Sequence, residues 1–163
     1  MYEYLKGTVN SKQTESYRGS FVVLDVNGVG YFISAGKTTV SKLETGDEVK
    51  IYTSLIHRED SMNLIGFLTK EERDIFNILQ SVSGIGSKTA LIILDEFTIP
   101  ELLDIMIRED AKELSRAKGV GNKVAQKIIL ELKDKLLNWS ESTPVDISDV
   151  KTENLNSDIV SEV

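Results

Sequence analysis

The chain contains no cysteine and only one histidine, His57, among its 163 residues. The first absence excludes a disulfide framework and thiolate metal centres, and it fits a reducing cytoplasm. The second leaves too few imidazoles for a zinc site or a Ser/His triad. No run approaches the ~18 apolar residues that a membrane span needs. The start, MYEYLKGTVN, has neither the basic residues nor the apolar stretch of a signal peptide. A Gly-x-x-x-x-Gly-Lys-Ser/Thr loop is also missing, so ATP hydrolysis is not expected of this chain. Nor is there a surplus of positive charge: 19 Lys and Arg stand against 26 Asp and Glu, a formal net of −7. Taken as a single number, that argues against a polyanionic partner. With 40% hydrophobic and 28% charged residues the chain can bury a core, and its length suits one ordinary domain or two small ones. The expectation is a soluble intracellular protein that needs no cofactor and holds no metal.

Three zones follow along the chain. Residues 1–67 read as β structure. Phe21 and Val23, then Tyr31 and Ile33, flank Asn27-Gly28, a hairpin signal because both turn positions accept positive φ. Apolar runs at Glu48 to Ile56 and Met62 to Phe67 are separated by His57-Arg58-Glu59-Asp60-Ser61. Five or so short strands with tight turns suggest a small barrel or sandwich. At Thr69 the period changes. Thr69 with Glu72, Thr98 with Glu101 and Asp110 with Glu113 have the spacing of helix starts in which a side chain satisfies orphan amide donors. Ile75, Phe76 and Leu79 form one apolar face, and Val124, Ile128, Ile129, Leu132 and Leu136 form that of a last helix over about 123–138. Residues 68–138 are thus an all-helical unit. From 139 to 163 six acidic residues stand against Lys151, a net of −5 among Ser, Thr and Asn, so an acidic flexible tail or linker is expected.

The functional signal is an internal repeat with a period of 35 residues. Leu79-x-x-Val82-x-Gly84-Ile85-Gly86-x-Lys88-x-Ala90-x-x-Ile93 aligns with Leu114-x-x-Ala117-x-Gly119-Val120-Gly121-x-Lys123-x-Ala125-x-x-Ile128. Two glycines around one apolar residue turn the chain tightly while Ile85 or Val120 plugs the core. A phosphate can approach the bare backbone there, facing the amide donors and positive dipole of the next helix. Lys88 and Lys123 can add charge-assisted contacts, and Ala90 and Ala125 let the helices close. A single Gly-x-Gly is more often a plain helix junction; two copies in register, each with Lys and Ala at the same offsets, favour phosphate binding. The tetratricopeptide period of ~34 is near, but its residue pattern is absent. From Lys112 to Lys135 seven basic residues oppose three acidic ones, so positive charge is local; for Lys133 and Lys135 a solvated helix face is as good a reading as contact with nucleic acid.

Paired helix-hairpin-helix motifs behind an amino-terminal barrel resemble the RuvA family, the Holliday-junction-binding subunits of the bacterial branch-migration machine. The resemblance is carried by Gly28-Val29-Gly30-Tyr31, by Arg58-Glu59-Asp60 before Leu64-Ile65-Gly66-Phe67, and by Gly84-Ile85-Gly86-Ser87-Lys88 and Lys118-Gly119-Val120-Gly121-Asn122-Lys123. It covers residues 1 to about 138. It implies an α+β fold: a five- or six-stranded OB barrel (1–67), then a tandem helix-hairpin-helix domain (68–138) and a linker (139–163). It also implies a homotetramer or octamer gripping a four-way DNA junction through the hairpins, partnership with the RuvB motor and the RuvC resolvase, and a role in recombination, DNA repair and the SOS response. Glu59 and Asp60 would form an acidic pin near the crossover; from the residues alone they are a carboxylate pair at a turn, with a solvated turn as the plain alternative. The family's third helical domain, which docks on RuvB, has no counterpart before Val163, which puts RuvB docking by this chain in doubt.

Two other classes compete. A structure-specific nuclease would use Glu59, Asp60 and a third carboxylate for Mg²⁺, yet adjacent residues on one turn usually diverge. An OB-fold RNA-binding or adaptor protein is the other. Without the tail, residues 1–138 carry a net charge of only −2, and what remains is sorted: carboxylates at the turn and helix starts, lysines at the hairpins.

Overall fold

A computed structural model of the protein describes residues 2–143. Five strands form a closed barrel in the order β1-β2-β3-β5-β4: β1 (Tyr4–Gln13), β2 (Phe21–Val26), β3 (Val29–Ser34), β4 (Glu48–His57) and β5 (Met62–Phe67). All neighbours are antiparallel except β3 and β5. β2 and β3 pair as the Asn27-Gly28 signal predicts, with φ at 53° and 86° in the turn. Inward residues Leu5, Val9, Val22, Leu24, Ile33 and Ile51 build the barrel core, joined by Leu43. The fold is therefore an α+β one, with five strands in the barrel.

One helix inside the barrel segment is a correction to the all-β reading of 1–67. Between β3 and β4 lies α1 (Lys37–Lys42). Its start, Gly36, has no capping side chain; Asp95, far along the chain, accepts from the backbone N–H of Lys37 (3.0 Å) and Thr38 (3.2 Å) instead. At its other end Lys12 Nζ donates to the Leu43 carbonyl. Both caps come from distant residues, so no local pattern announces them.

The helices are α2 (Lys70–Gln80), α3 (Ser87–Glu96), α4 (Ile99–Arg108), α5 (Ala111–Leu114) and α6 (Asn122–Ser142). All three predicted caps receive the expected amide: Glu72 N–H donates to Thr69 Oγ1, Glu101 N–H to Thr98 Oγ1 and Glu113 N–H to Asp110 Oδ1. Only Thr98 and Glu101 close the reciprocal box. Glu113 instead pairs with Arg116. α6 runs past the expected stop at Asn138 to Ser142, because Trp139 continues the Leu132–Leu136 stripe at helical spacing and is half-buried. Residues 144–163, where the acidic tail is expected, lie outside the described residues.

The chain divides into two compact units, up to Glu96 and from Phe97. In the first, α2 packs on the barrel: Phe76 meets Phe67 at 5.0 Å between ring centres, and Ser54 Oγ donates to Asn77 Oδ1. Buried Arg73 donates to the Glu3 carbonyl at 3.0 Å and pairs with its carboxylate at 2.9 Å. In the second, α4, α5 and α6 enclose Leu102, Ile105, Met106, Leu114, Ile128, Leu132 and Leu136.

Candidate nucleic-acid interface

The period-35 repeat of the sequence is a repeat of structure. Gly84 and Gly119 both sit in the left-handed region, at φ 91° and 85°. A side chain there is strained whatever the space around it, which explains the glycine. In each copy the loop is closed by the same two bonds. Ile85 N–H donates to the Val82 carbonyl and Val120 N–H to that of Ala117; the next helix then opens with Ala90 N–H to Gly86 and Ala125 N–H to Gly121. Burial repeats as well. Leu79 and Leu114, Ala90 and Ala125, and Ile93 and Ile128 are each 0% exposed, and Ile85 and Val120 are buried plugs. The side chains of Ile85 and Val120 therefore anchor the loops rather than face a ligand.

What the loops present outward is backbone. A Cβ built on Gly84, Gly86, Gly119 or Gly121 meets nothing within 4 Å, so nothing among the described residues covers the four positions. Ser87 and Asn122 are the first helical residues of α3 and α6. Lys88 and Lys123 follow in the first turn, exposed, as Lys118 is before the second loop. None of these three lysines has an ion-pair partner among the described residues, whereas nearby Lys133 pairs with Glu109 at 3.4 Å and Arg116 lies over Phe97. Lys133 thus spends its charge on its own unit. Helix-start amides with an uncompensated lysine alongside are the chemistry an anion seat requires, and both loops bring these groups together.

Glu59 and Asp60 lie at the tip of the β4–β5 hairpin. Its register ends at His57 opposite Met62, and Arg58 N–H donates to the Ser61 carbonyl across the tip at 2.8 Å. Both carboxylates are exposed and form no ion pair among the described residues. Within the first unit, α2 leaves the end of β5 and runs back along β4, with Asn77 reaching Ser54. The first hairpin loop and the acidic turn therefore lie toward the same end of that unit.

Glu72, predicted only as a helix-start partner, is partly buried. Burial pushes its carboxyl above the ordinary value; the Lys42 charge and the Thr69 hydroxyl oppose that, and Glu71 and Asp95 add to it. Asp95 went unmarked in the sequence although it ties α3, the helix after the first loop, to α1. Its only signal is an acidic residue near a helix end, where the dipole makes it unfavourable unless it caps something else.

Residues 1–66 match the family described as RuvA N terminal domain, and residues 76–134 the one described as SAM-like Helix-hairpin-helix tandem. A relative from Clostridium tetani, named Holliday junction branch migration complex subunit RuvA, is 42% identical over 139 residues, 85% of this chain and 68% of that protein. One of the same name from Rickettsia prowazekii is 41% identical over 158 residues, 96% of this chain and 76% of that protein. Another, from Acetivibrio thermocellus, is 43% identical over 137 residues, 83% of this chain and 65% of its own length. With both domain types present in order and this identity across most of its length, the chain belongs to the RuvA family.

Proposed function

We propose that this chain is a non-catalytic, structure-specific DNA-binding protein that holds four-way junctions and supports their branch migration. The observation that carries the reading is the pair of hairpin loops built alike, each with uncovered glycines and a lysine without an ion-pair partner among the described residues in the first turn of the next helix. Such seats grip phosphates without reading bases, so affinity comes from the duplex backbone and discrimination from shape. The names of the relatives, which place them at Holliday junctions, point to the same ligand.

In this mechanism the hairpins draw duplex arms outward while Glu59 and Asp60 repel phosphates at the crossover. That opposition keeps the arms from stacking on one another and leaves the junction open for migration. A homotetramer would repeat both elements around a four-armed substrate. ATP hydrolysis falls to the RuvB motor and strand cutting to the RuvC resolvase, all in the cytoplasm; among the described residues no helix is long and apolar enough to cross a membrane. The nuclease alternative gains no support, because among the described residues no three carboxylate or imidazole groups converge as a cation site.

The test is a mobility shift comparing a labelled four-way junction with linear duplex of the same sequence, with and without Mg²⁺. The expected result is a strong junction preference and intact strands, with native mass giving four chains per junction. Equal affinity for the two DNAs would refute the reading, and cleaved junction would restore the nuclease.

A further inference from the structure

The two ends of the barrel differ. The end at which β3 leaves and β4 enters is closed by the α1 connection, whose Leu43 joins the barrel core and whose Val40 is fully buried. Among the described residues of the first unit no helix closes the other end, which carries the Arg58–Ser61 turn. Strand alternation puts Ile51, Thr53, Leu55 and His57 on the inner face of β4. Leu55 stands opposite Leu64, and His57 opposite Met62. On β3, Ile33 lies beside Leu64, with Tyr31 and Val29 following on the same face. Along these faces burial falls away toward the turn. Ile33 is 0% exposed, Tyr31, Leu55 and Leu64 are half-buried, and Val29 and Met62 are 53% and 67% exposed. Tyr2 sets its ring edge-on to Tyr31, with 6.2 Å between ring centres.

We propose that this open mouth, formed by Tyr2, Val29, Tyr31 and Met62, seats unpaired nucleobases where strands part beside the acidic turn. The proposal rests on the junction-binding reading and assigns these residues a part in it. An exposed, contiguous apolar and aromatic surface marks a binding site, and the face of any base stacks on such a surface without regard to sequence. The neighbouring charge selects which part of DNA arrives. Exposed Glu59 and Asp60 repel a phosphate but accept hydrogen bonds from exocyclic amino groups of bases. Paired bases inside a duplex offer no free face, and their Watson–Crick edges are occupied, so the mouth suits a base that has left its stack. The first hairpin loop lies toward the same end of this unit, which brings a gripped arm to the mouth.

The test uses the full chain and two four-way junctions that differ only at the crossover, one fully paired and one with two unpaired bases, including the fluorescent base 2-aminopurine. The unaltered protein is expected to bind the unpaired junction about tenfold more tightly, within the range for a base stacked on an aromatic side chain, and to quench the probe. Tyr2→Ala with Met62→Ser should bring the affinity ratio close to one and abolish quenching, while the paired junction is bound as before. Met62→Ser alone, at a mostly exposed position, should lower the ratio part of the way and guards against misfolding of the double variant. A ratio near one for the unaltered protein, or one that survives in the double variant, overturns the proposal. If neither junction is preferred to linear duplex, the junction reading fails as well.

Discussion

Alanine at Gly86 and Gly121 separates the folding of the hairpins from their proposed work. A Cβ at either position meets nothing within 4 Å, and neither residue has a positive φ; Gly121 sits at φ −77°, ψ 172°. Restricting the unfolded chain favours alanine by about 0.4–1 kcal/mol per site, and the preference for glycine over alanine just before a helix offsets a similar amount. Stability should therefore stay within about 1 kcal/mol of the parent protein. Binding should not. The added methyl stands where a phosphate oxygen has to approach the first helical amides, and a hydrogen bond to a charged group contributes about 1.5–3 kcal/mol. Losing one such bond weakens binding by about 10- to 100-fold, and the two sites together by more. Urea denaturation followed by circular dichroism reads the first effect; anisotropy of a labelled junction at two salt concentrations reads the second. The control pair is Gly84→Ala with Gly119→Ala, where φ of 91° and 85° strains alanine; these should cost about 1–3 kcal/mol each in stability. Parental junction affinity in Gly86→Ala/Gly121→Ala would refute the backbone-phosphate contact.

Three further outcomes are expected. Lys88→Ala with Lys123→Ala should weaken binding to all junction sequences equally and flatten the salt dependence by about one unit of slope per lysine, as a salt titration would show; an unchanged slope returns both lysines to solvent. Glu59→Gln with Asp60→Asn should tighten junction binding, most at low salt, or alter branch-migration rates by relieving repulsion of the phosphates; no change in either leaves a solvated turn. Glu72 is raised by burial above its ordinary 4.5, so the folded state holds that proton more tightly than the unfolded chain. Its ionisation at neutral pH therefore opposes folding, and acidification through the folded value toward 4.5 relieves the penalty. Glu72→Gln should raise the urea midpoint at pH 7, and the gain should shrink as pH falls toward 4.5; a gain independent of pH would refute the assignment.

Features written in neighbouring residues were legible without a structure. The Asn27-Gly28 hairpin, the caps at Thr69, Thr98 and Asp110, and the two glycine loops depend on φ preferences and on bonds between residues a few positions apart. The repeat also exposed its own core, since Leu79, Val82, Ala90 and Ile93 are buried as their partners thirty-five residues on are. Net charge misled until the tail was removed from the sum, because electrostatics acts through position rather than through totals.

Other features are properties of the folded chain alone. α1 is capped by Asp95 and Lys12 from distant segments, and only the folding of the barrel and the packing of α3 beside α1 bring these together. Arg73 reads as an ordinary charge on a helix until Glu3, just before β1, meets it. Met62 and Val29 continue apolar strands and look like core, yet they lie past the last buried layer, at an end that no helix plugs among the described residues of the first unit. Alternation tells which face a residue takes, whereas the depth of that face depends on where the barrel ends. The sequence by itself determined the local turns, the caps and the repeat on which the proposed phosphate contacts rest; the tertiary structure alone decided which charges found partners, which apolar residues reached solvent, and that the acidic turn shares its end of the first unit with a hairpin loop.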